Sequence, residues 1–385
     1  MDFKLTGEQI LIKDSVERFV QAQKASDNPW RAFVQLGWLG IGAPEEVGGF
    51  GGPLETLLLM EAFGRGLVTE PYLEGVVFAG ALLRAAARTD LLEELVGGER
   101  RFAVAYEEAG TGYDPARVSA SVEPAASGYL LRGCKDRVVA PPEATTFLVT
   151  ARCGDGVALF AVAPGAAGVT RADYRTEDGR NATRVAFDAV RLASDAAVGA
   201  PAAGLELLAY GLDHAAGALC AEAVGVMSVL HETTLRYLKE RTQFGVPIGS
   251  FQALQHRMAD MYVELELARS MAYVAAMTLA NETEAAPRGR GVSAAKVQIA
   301  RSGRFIGQNA IQLHGAIAMT AEYKIGDYFK RMTTLERLFG DADYHLRRYR
   351  SLTPSGEAVR IRSSQIDQST LERNDSAYLA RSAGL

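Results

Sequence analysis

The chain has 385 residues, too many for one small core, which predicts two or three domains. Apolar residues make up 48% of it, and Ala and Gly are abundant, as in a globular and largely helical protein. A net charge of -5, with basic residues scattered or paired with acids, gives no electrostatic support to bulk binding of nucleic acid or acidic membrane. Cys134, Cys153 and Cys220 are far apart and match no metal spacing, so no metal site is expected. Their odd, sparse number fits a reducing compartment. The N-terminal stretch mixes charged and apolar residues, and no apolar run reaches membrane-spanning length. The expectation is a cytoplasmic protein without a membrane span.

Residues 1–103 read as helices. In "LTGEQILIKDSVERFVQ", Ile10, Leu11, Val16 and Val20 fall on one helical stripe after Thr6, a candidate cap. The glycines of "IGAPEEVGGFGG" (41–52) mark a loop. Over 104–197 the period changes to short, roughly alternating runs, such as "TTFLVTARC" and "VALFAVAP". Gly, Pro and Asp clusters separate them, the pattern of a small antiparallel barrel or sandwich. No strand–helix–strand alternation and no GxGxxG occur, which argues against a Rossmann domain.

Over 198–352 long helical stripes return. Leu212, Ala216, Leu219, Ala223, Val226, Leu230 and Tyr237 make one; Leu254, Met258, Met261 and Leu265 another; Tyr328, Met332, Leu335 and Phe339 a third. Long apolar stripes with short connections predict a bundle. The remainder, 353–385, is a polar tail, either a loose end or a clasp onto a partner. The fold class is α+β, mostly α.

Helices, then a small β domain, then a four-helix bundle is the order of the acyl-CoA dehydrogenase family, and four motifs resemble it. "ERTQFGVPIGSFQALQHRMADM" (240–261) is similar to the family's bundle hairpin, and "IQLHGAIAMTAEYKIGDYFKR" (311–331) to its cofactor-contacting segment. "LGWLGIGAPEEVGGFGG" (36–52) and "GYLLRGCKDRVVAPPEATTFLVTAR" (128–152) resemble landmarks of the other two domains. The resemblance implies FAD as cofactor and α,β-dehydrogenation of an acyl-CoA thioester to a 2-enoyl-CoA. In that reaction a carboxylate removes the α-proton while a hydride passes to the flavin. The partners it implies are an acyl-CoA substrate, other family subunits and electron-transfer flavoprotein.

By the same resemblance, Arg241 fills the position of an arginine that reaches the FAD diphosphate of a neighbouring subunit. A planar guanidinium suits paired phosphate oxygens. Gln243 and Phe244 follow in register, and Gln312 and Gly315 match the segment that touches the same neighbouring FAD. Ala316 and Ala318 replace expected glycines, so their methyl groups are expected to crowd that approach.

The residues facing this chain's own flavin depart from the pattern. Glu107 and Tyr113, in "EEAGTGYD", stand where threonine and serine are expected. Arg137 and Val139 stand where the family tends to have Trp and Thr. Gly340, in "RLFGDADY", stands at the family's catalytic glutamate, and Ala215 at the alternative base position on the first bundle helix. Asp213 lies about 200° round that helix and Glu222 is too far along it. Asp341 and Asp343 remain as candidate bases, or as caps of the helix that follows. His314 is read as shaping the cofactor loop, and His345 as a helix surface or core residue.

Residues serving a neighbour are present, and residues serving the chain's own site are altered. That asymmetry resembles the small, base-lacking subunit of an α2β2 acyl-CoA dehydrogenase. Three alternatives stay open: a self-sufficient homotetramer using Asp341 or Asp343, a flavin monooxygenase or oxidase on the same fold, and a non-redox subunit. Ala215, Ala216 and Gly217 either make room for a bulky acyl group or serve close helix packing.

Overall fold

The computed structural model describes residues 5–22, 28–125, 127–320 and 323–354; most of the polar tail lies outside them. Helix α1 (Gly7–Ala22) begins with a reciprocal cap: Thr6 Oγ1 accepts from Gln9 N at 3.2 Å and Gln9 Oε1 from Thr6 N at 3.0 Å. The buried face of α1 differs from the predicted stripe. Val16 is buried and Ile12, Phe19 and Val20 pack beside it, whereas Ile10 and Leu11 are exposed. Helix α2 (Pro29–Gln35) is capped by Asn28, and α3 (Pro53–Gly66) by the Glu55 carboxylate, which accepts from Gly52 N at 2.7 Å. A π-helical turn, Leu73–Phe78, runs into α4 (Ala79–Ala85), and α5 (Thr89–Val96) follows. Phe19, Phe33, Trp38, Phe63 and Tyr72 pack ring against ring beneath them.

Strands then take over: β1 (Phe102–Ala105), β2 (Ser121–Ala125), β3 (Gly128–Val139), β4 (Thr146–Cys153), β5 (Gly156–Val162), β6 (Val169–Arg175) and β7 (Asn181–Ala193). Their order is β1-β4-β2-β3-β7-β6, with β5 against β4. The sheet is antiparallel except at β4, which has β1 and β2 as parallel neighbours. The 15-residue stretch between β1 and β2 (106–120) is long enough to bring β2 back in that direction. Its apolar face forms a core of its own around Phe147, Val149, Phe160 and Phe187.

The bundle consists of α6 (Gly204–Glu240), α7 (Gln252–Asn281), α8 (Ala285–His314), α9 (Ile325–Arg337) and α10 (Ala342–Ser351). Helix α6 spans about 55 Å at 1.5 Å per residue. It is long and apolar enough to cross a membrane, but its most apolar stretch is mostly buried inside the protein. Helices α3 and α6 cross backbone to backbone: a Cβ on Gly64 would meet Glu222 O at 2.0 Å, and one on Gly225 would meet Glu61 O at 2.0 Å.

A buried ion network ties the three regions together. Arg331 of α9 grips Glu222 of α6 at 2.7 and 2.9 Å and reaches Asp178, between β6 and β7, at 2.6 Å. Arg180 joins Glu222 at 3.0 Å and Glu74 of the π-helical turn at 3.4 Å. Burial pushes the Glu222 carboxyl up, but Arg331 and Arg180 outweigh it and hold it below the usual range. Glu74 stays raised, because burial is only partly offset by Arg180.

Candidate active site

Between α9 and α10 the chain turns through Phe339 (φ 60) and Gly340 (φ 113). A Cβ at Gly340 would lie 2.4 Å from the Tyr344 ring and 2.9 Å from His345 Nε2, so the space a side chain would need is filled. The backbone at φ 113 would strain any other residue independently. Lys296, fully buried on α8, donates to the carbonyls of Leu335 (3.0 Å), Glu336 (2.9 Å) and Gly340 (2.9 Å) and knots the turn down. Burial lowers its amine to about 8.

His345 is also buried. Its Nε2 is 3.1 Å from Phe339 O and so carries the proton; Nδ1, 3.2 Å from Ser293 Oγ, accepts. Burial, then the charges of Lys296 and Arg348, depress it to about 3. The Asp341 carboxylate caps α10, accepting from Tyr344 N at 2.8 Å. Asp343 is exposed. Both line a cleft of about 650 Å³ shared with Tyr113, Arg301, Arg304 and Arg337.

Across from this turn lies the sheet. Tyr113 stands 5.7 Å, ring to ring, from Tyr344. Glu107 accepts from Tyr106 Oη at 2.8 Å and from Arg137 Nε at 2.7 Å. Burial raises the Glu107 carboxyl, and Arg137 opposes that shift. Arg137 sits at φ 44, at an irregularity of β3 between Lys135 and Val138. The anion expected to face a flavin is therefore neutralised by a cation that lies 30 residues away in the chain. Beside it, Lys135, buried against Glu108 at 2.6 Å and Thr150 at 2.9 Å, fastens the 106–120 segment to the sheet.

The residues expected to face a neighbour occupy a different surface. Arg241 ends α6, and β8 (Thr242–Gln243) pairs with β9 (Val246–Pro247) across Phe244 and Gly245. Both turn residues have positive φ, 54 and 78, as a two-residue hairpin of right-handed twist requires. Glycine adopts this freely, whereas phenylalanine does so at a cost. The Phe244 ring is 90% exposed, touching Phe251 alone among aromatic rings at 6.2 Å. Arg241 and Gln243 are exposed too. At the end of α8, Gln312 is exposed and Gly315 (φ 65) has open space where a Cβ would be. His314 stacks on Tyr237 at 4.5 Å, with its carbonyl 3.5 Å from Tyr237 Oη, which joins the two segments. Ala318 is buried, so its methyl lies away from that surface, while Ala316 is exposed.

Known proteins share both the sequence pattern and this geometry. Residues 202–350 match the family model "Acyl-CoA dehydrogenase, C-terminal domain", and residues 6–86 match "Acyl-CoA dehydrogenase, N-terminal domain". Acyl-CoA dehydrogenase IpdE2 of Mycolicibacterium smegmatis is 32% identical over 324 residues, 83% of this chain and 86% of the relative. The chain belongs to the acyl-CoA dehydrogenase family. Among solved structures, the ChsE4-ChsE5 complex from Mycobacterium tuberculosis is similar at 27% identity and TM-score 0.80, over 92% of this chain and 100% of that one. PigA with FAD and proline is similar at 27% identity and TM-score 0.84, over 91% and 99%.

The other acids of this family member are occupied. Asp213 meets Arg288 at 3.1 Å and Arg348 at 2.6 Å, away from Ala215, and Glu222 belongs to the ion network. Ala215 and Ala216 pack in the core, and Gly217 lines a cavity. Sequence reasoning missed Lys296, Arg84 and Arg331. Lys296 and Arg331 are buried charges whose partners lie far away in the chain, and Arg84 lines that cavity. A lysine or arginine inside an apolar helical stripe is the one signal that could have flagged them.

Proposed function

We propose that this chain is the base-lacking subunit of an α2β2 acyl-CoA dehydrogenase, lending one face to FAD held mainly by a homologous partner. The observation that carries the reading is Gly340. Its backbone would strain a side-chain-bearing residue, and Tyr344 and His345 fill the space a Cβ would take. The exposed hairpin fits the cofactor: Arg241 has no carboxylate partner among the described residues, and Phe244 is held in an exposed, strained turn. The chain's own cleft fits it poorly, because Tyr113 and Tyr344 close across it and Arg137 is spent on Glu107. That the similar ChsE4-ChsE5 structure is a complex of two named chains supports a heteromer.

Bound FAD supplies the hydride acceptor for α,β-dehydrogenation of an acyl-CoA. Arg241 and Gln243 would hold its diphosphate by charge and hydrogen bonds. Phe244 would pack on the adenosine side, and Gln312 and the bare backbone at Gly315 would close the same face. The partner subunit supplies the carboxylate base, a contribution worth about 10²–10⁴ in rate. Electron-transfer flavoprotein reoxidises the complex, in a reducing cytosol that suits three free cysteines. The domains on this reading are 1–103, 104–197 and 198–352.

The test is to record flavin absorbance and solution mass for this chain alone and for the chain co-expressed with a homologous subunit. Little flavin alone and roughly one FAD per unlike pair is the expected result. One FAD per chain in a homotetramer, bleached by acyl-CoA without oxygen, would overturn it and move the search for a base to Asp343 and Asp341.

A further inference from the structure

A cavity with about 50 Å³ of free space lies between the loop after Leu39, helices α4 and α5, and the α6–α7 pair. Its wall is aliphatic, with glycine, proline and one threonine, except at two points: Arg84 and His214. Among the described residues, the Arg84 guanidinium is held only by neutral groups. It donates to Gly42 O, to Tyr210 Oη at 2.8 Å, and to His214 Nε2 at 3.3 Å. Arginine can only donate, so His214 Nε2 is the acceptor and the imidazole is neutral. Burial, then Arg84 and Arg288, depress His214 to about 3, which keeps it neutral throughout the ordinary pH range.

The surroundings add no negative charge to spare. Tyr210 lies between two guanidiniums, with Arg288 4.8 Å and Arg84 5.6 Å from its ring. The nearby carboxylate, Asp213, is already shared by Arg288 and Arg348. Two arginines thus already share the nearby acid, and neither salt bridge includes Arg84. A guanidinium that lacks a carboxylate, set in an apolar wall, is the arrangement a site uses to fix the charged end of a small ligand.

We propose that this cavity binds the carboxylate of a short aliphatic chain, with Arg84 as its counter-ion and the aliphatic wall taking the chain. The volume, equal to a few waters, limits the ligand to a short one. The cavity binds it whether or not this chain turns over a substrate by itself. The carboxylate has two possible sources, a free short-chain acid or the far end of a dicarboxyl acyl thioester, and both present the same chemistry to Arg84.

Calorimetry on the full-length chain separates the cases. Butyrate should bind and neutral butyramide should bind at least about tenfold more weakly, because a charge-assisted hydrogen bond is lost. Arg84→Gln should weaken butyrate by a similar factor. Gly80→Ala should also weaken binding while leaving Arg84 in place: a Cβ there meets Leu95 at an ordinary 3.5 Å, so the fold accepts it, and the added methyl takes space from the cavity. Comparison of succinyl-CoA with butyryl-CoA then assigns the source. Preference for succinyl-CoA over butyryl-CoA places the carboxylate on an acyl chain; equal binding of the two, with free butyrate still bound, makes the ligand a free acid. Equal binding of butyrate and butyramide, absence of butyrate binding at millimolar concentration, or unchanged butyrate affinity in both variants would overturn the proposal.

Discussion

The hairpin at Arg241–Pro247 and the turn at Gly340 are both irregular backbone at the ends of bundle helices, yet they are finished in opposite ways. The hairpin leaves an arginine and a phenylalanine in solvent, one without an acid among the described residues and the other in a costly conformation. The turn at Gly340 leaves nothing open: Lys296 takes three carbonyls, His345 a fourth, and Tyr344 covers the glycine. Strain with exposure points to a contact completed outside the chain, whereas strain with complete internal bonding points to a contact given up.

That contrast can be broken most severely at the frame both regions share. Arg331→Met would leave Asp178 without its cation and Glu222 with Arg180 alone, so stability in urea should fall by about 3–5 kcal/mol. An unchanged unfolding midpoint would mean the network does not set the relative placement of the two regions. The next test separates them. Arg241→Ala should weaken FAD retention in the assembled pair by about 1.5–3 kcal/mol, tenfold or more, while Arg137→Ala should alter it less than about twofold. Equal losses, measured by flavin released on dilution, would erase the distinction.

A pH titration of the wild type against a His345 variant isolates the closed turn. His345 is near 3 when folded and at its ordinary value when unfolded. As pH drops below about 6.5, the unfolded chain takes up the proton first, so stability falls, and this loss continues down to about 3. His345→Gln should remove on the order of 1–2 kcal/mol of the difference between pH 7 and pH 5. His214, also near 3, contributes in the same direction and is unaffected by that variant. The smallest effect is expected at Asp341: Asp341→Ala should cost about 1 kcal/mol of stability by losing the α10 cap and leave turnover within about twofold. Loss of turnover by about a hundredfold or more would instead make Asp341 the base.

Much of the architecture was legible because it rests on local rules. Thr6 and Gln9 are spaced for a reciprocal cap, and the stripe from Leu212 to Tyr237 repeats at helical spacing. What could not be read was set by distance in the chain. Alternation marked β4 as a strand but could not say that β1 and β2 run parallel to it. Helical periodicity placed Ile10 and Leu11 on a stripe, but the face of α1 that meets α3 is centred on Val16 and Phe19. Within the site, the substitutions at 107, 113, 137 and 340 were visible one at a time. Their pairing was not, because Glu107 meets Arg137 and Tyr113 meets Tyr344 only through the fold. Lys296 was half legible: a lysine inside an apolar helical stripe can signal a buried charge, but nothing local names the three carbonyls it binds.

The knot at Lys296 also bears on reversibility. A glutamate written back at position 340 would meet a left-handed backbone, the Tyr344 ring and the His345 imidazole together. Each obstacle must be removed by its own mutation, and removing any one first strips bonding from the turn without yet furnishing a carboxylate. On the proposed reading, a return to self-sufficiency would require several changes at once in this turn. Dependence on a second gene, once established, would be held in place by local packing like a ratchet.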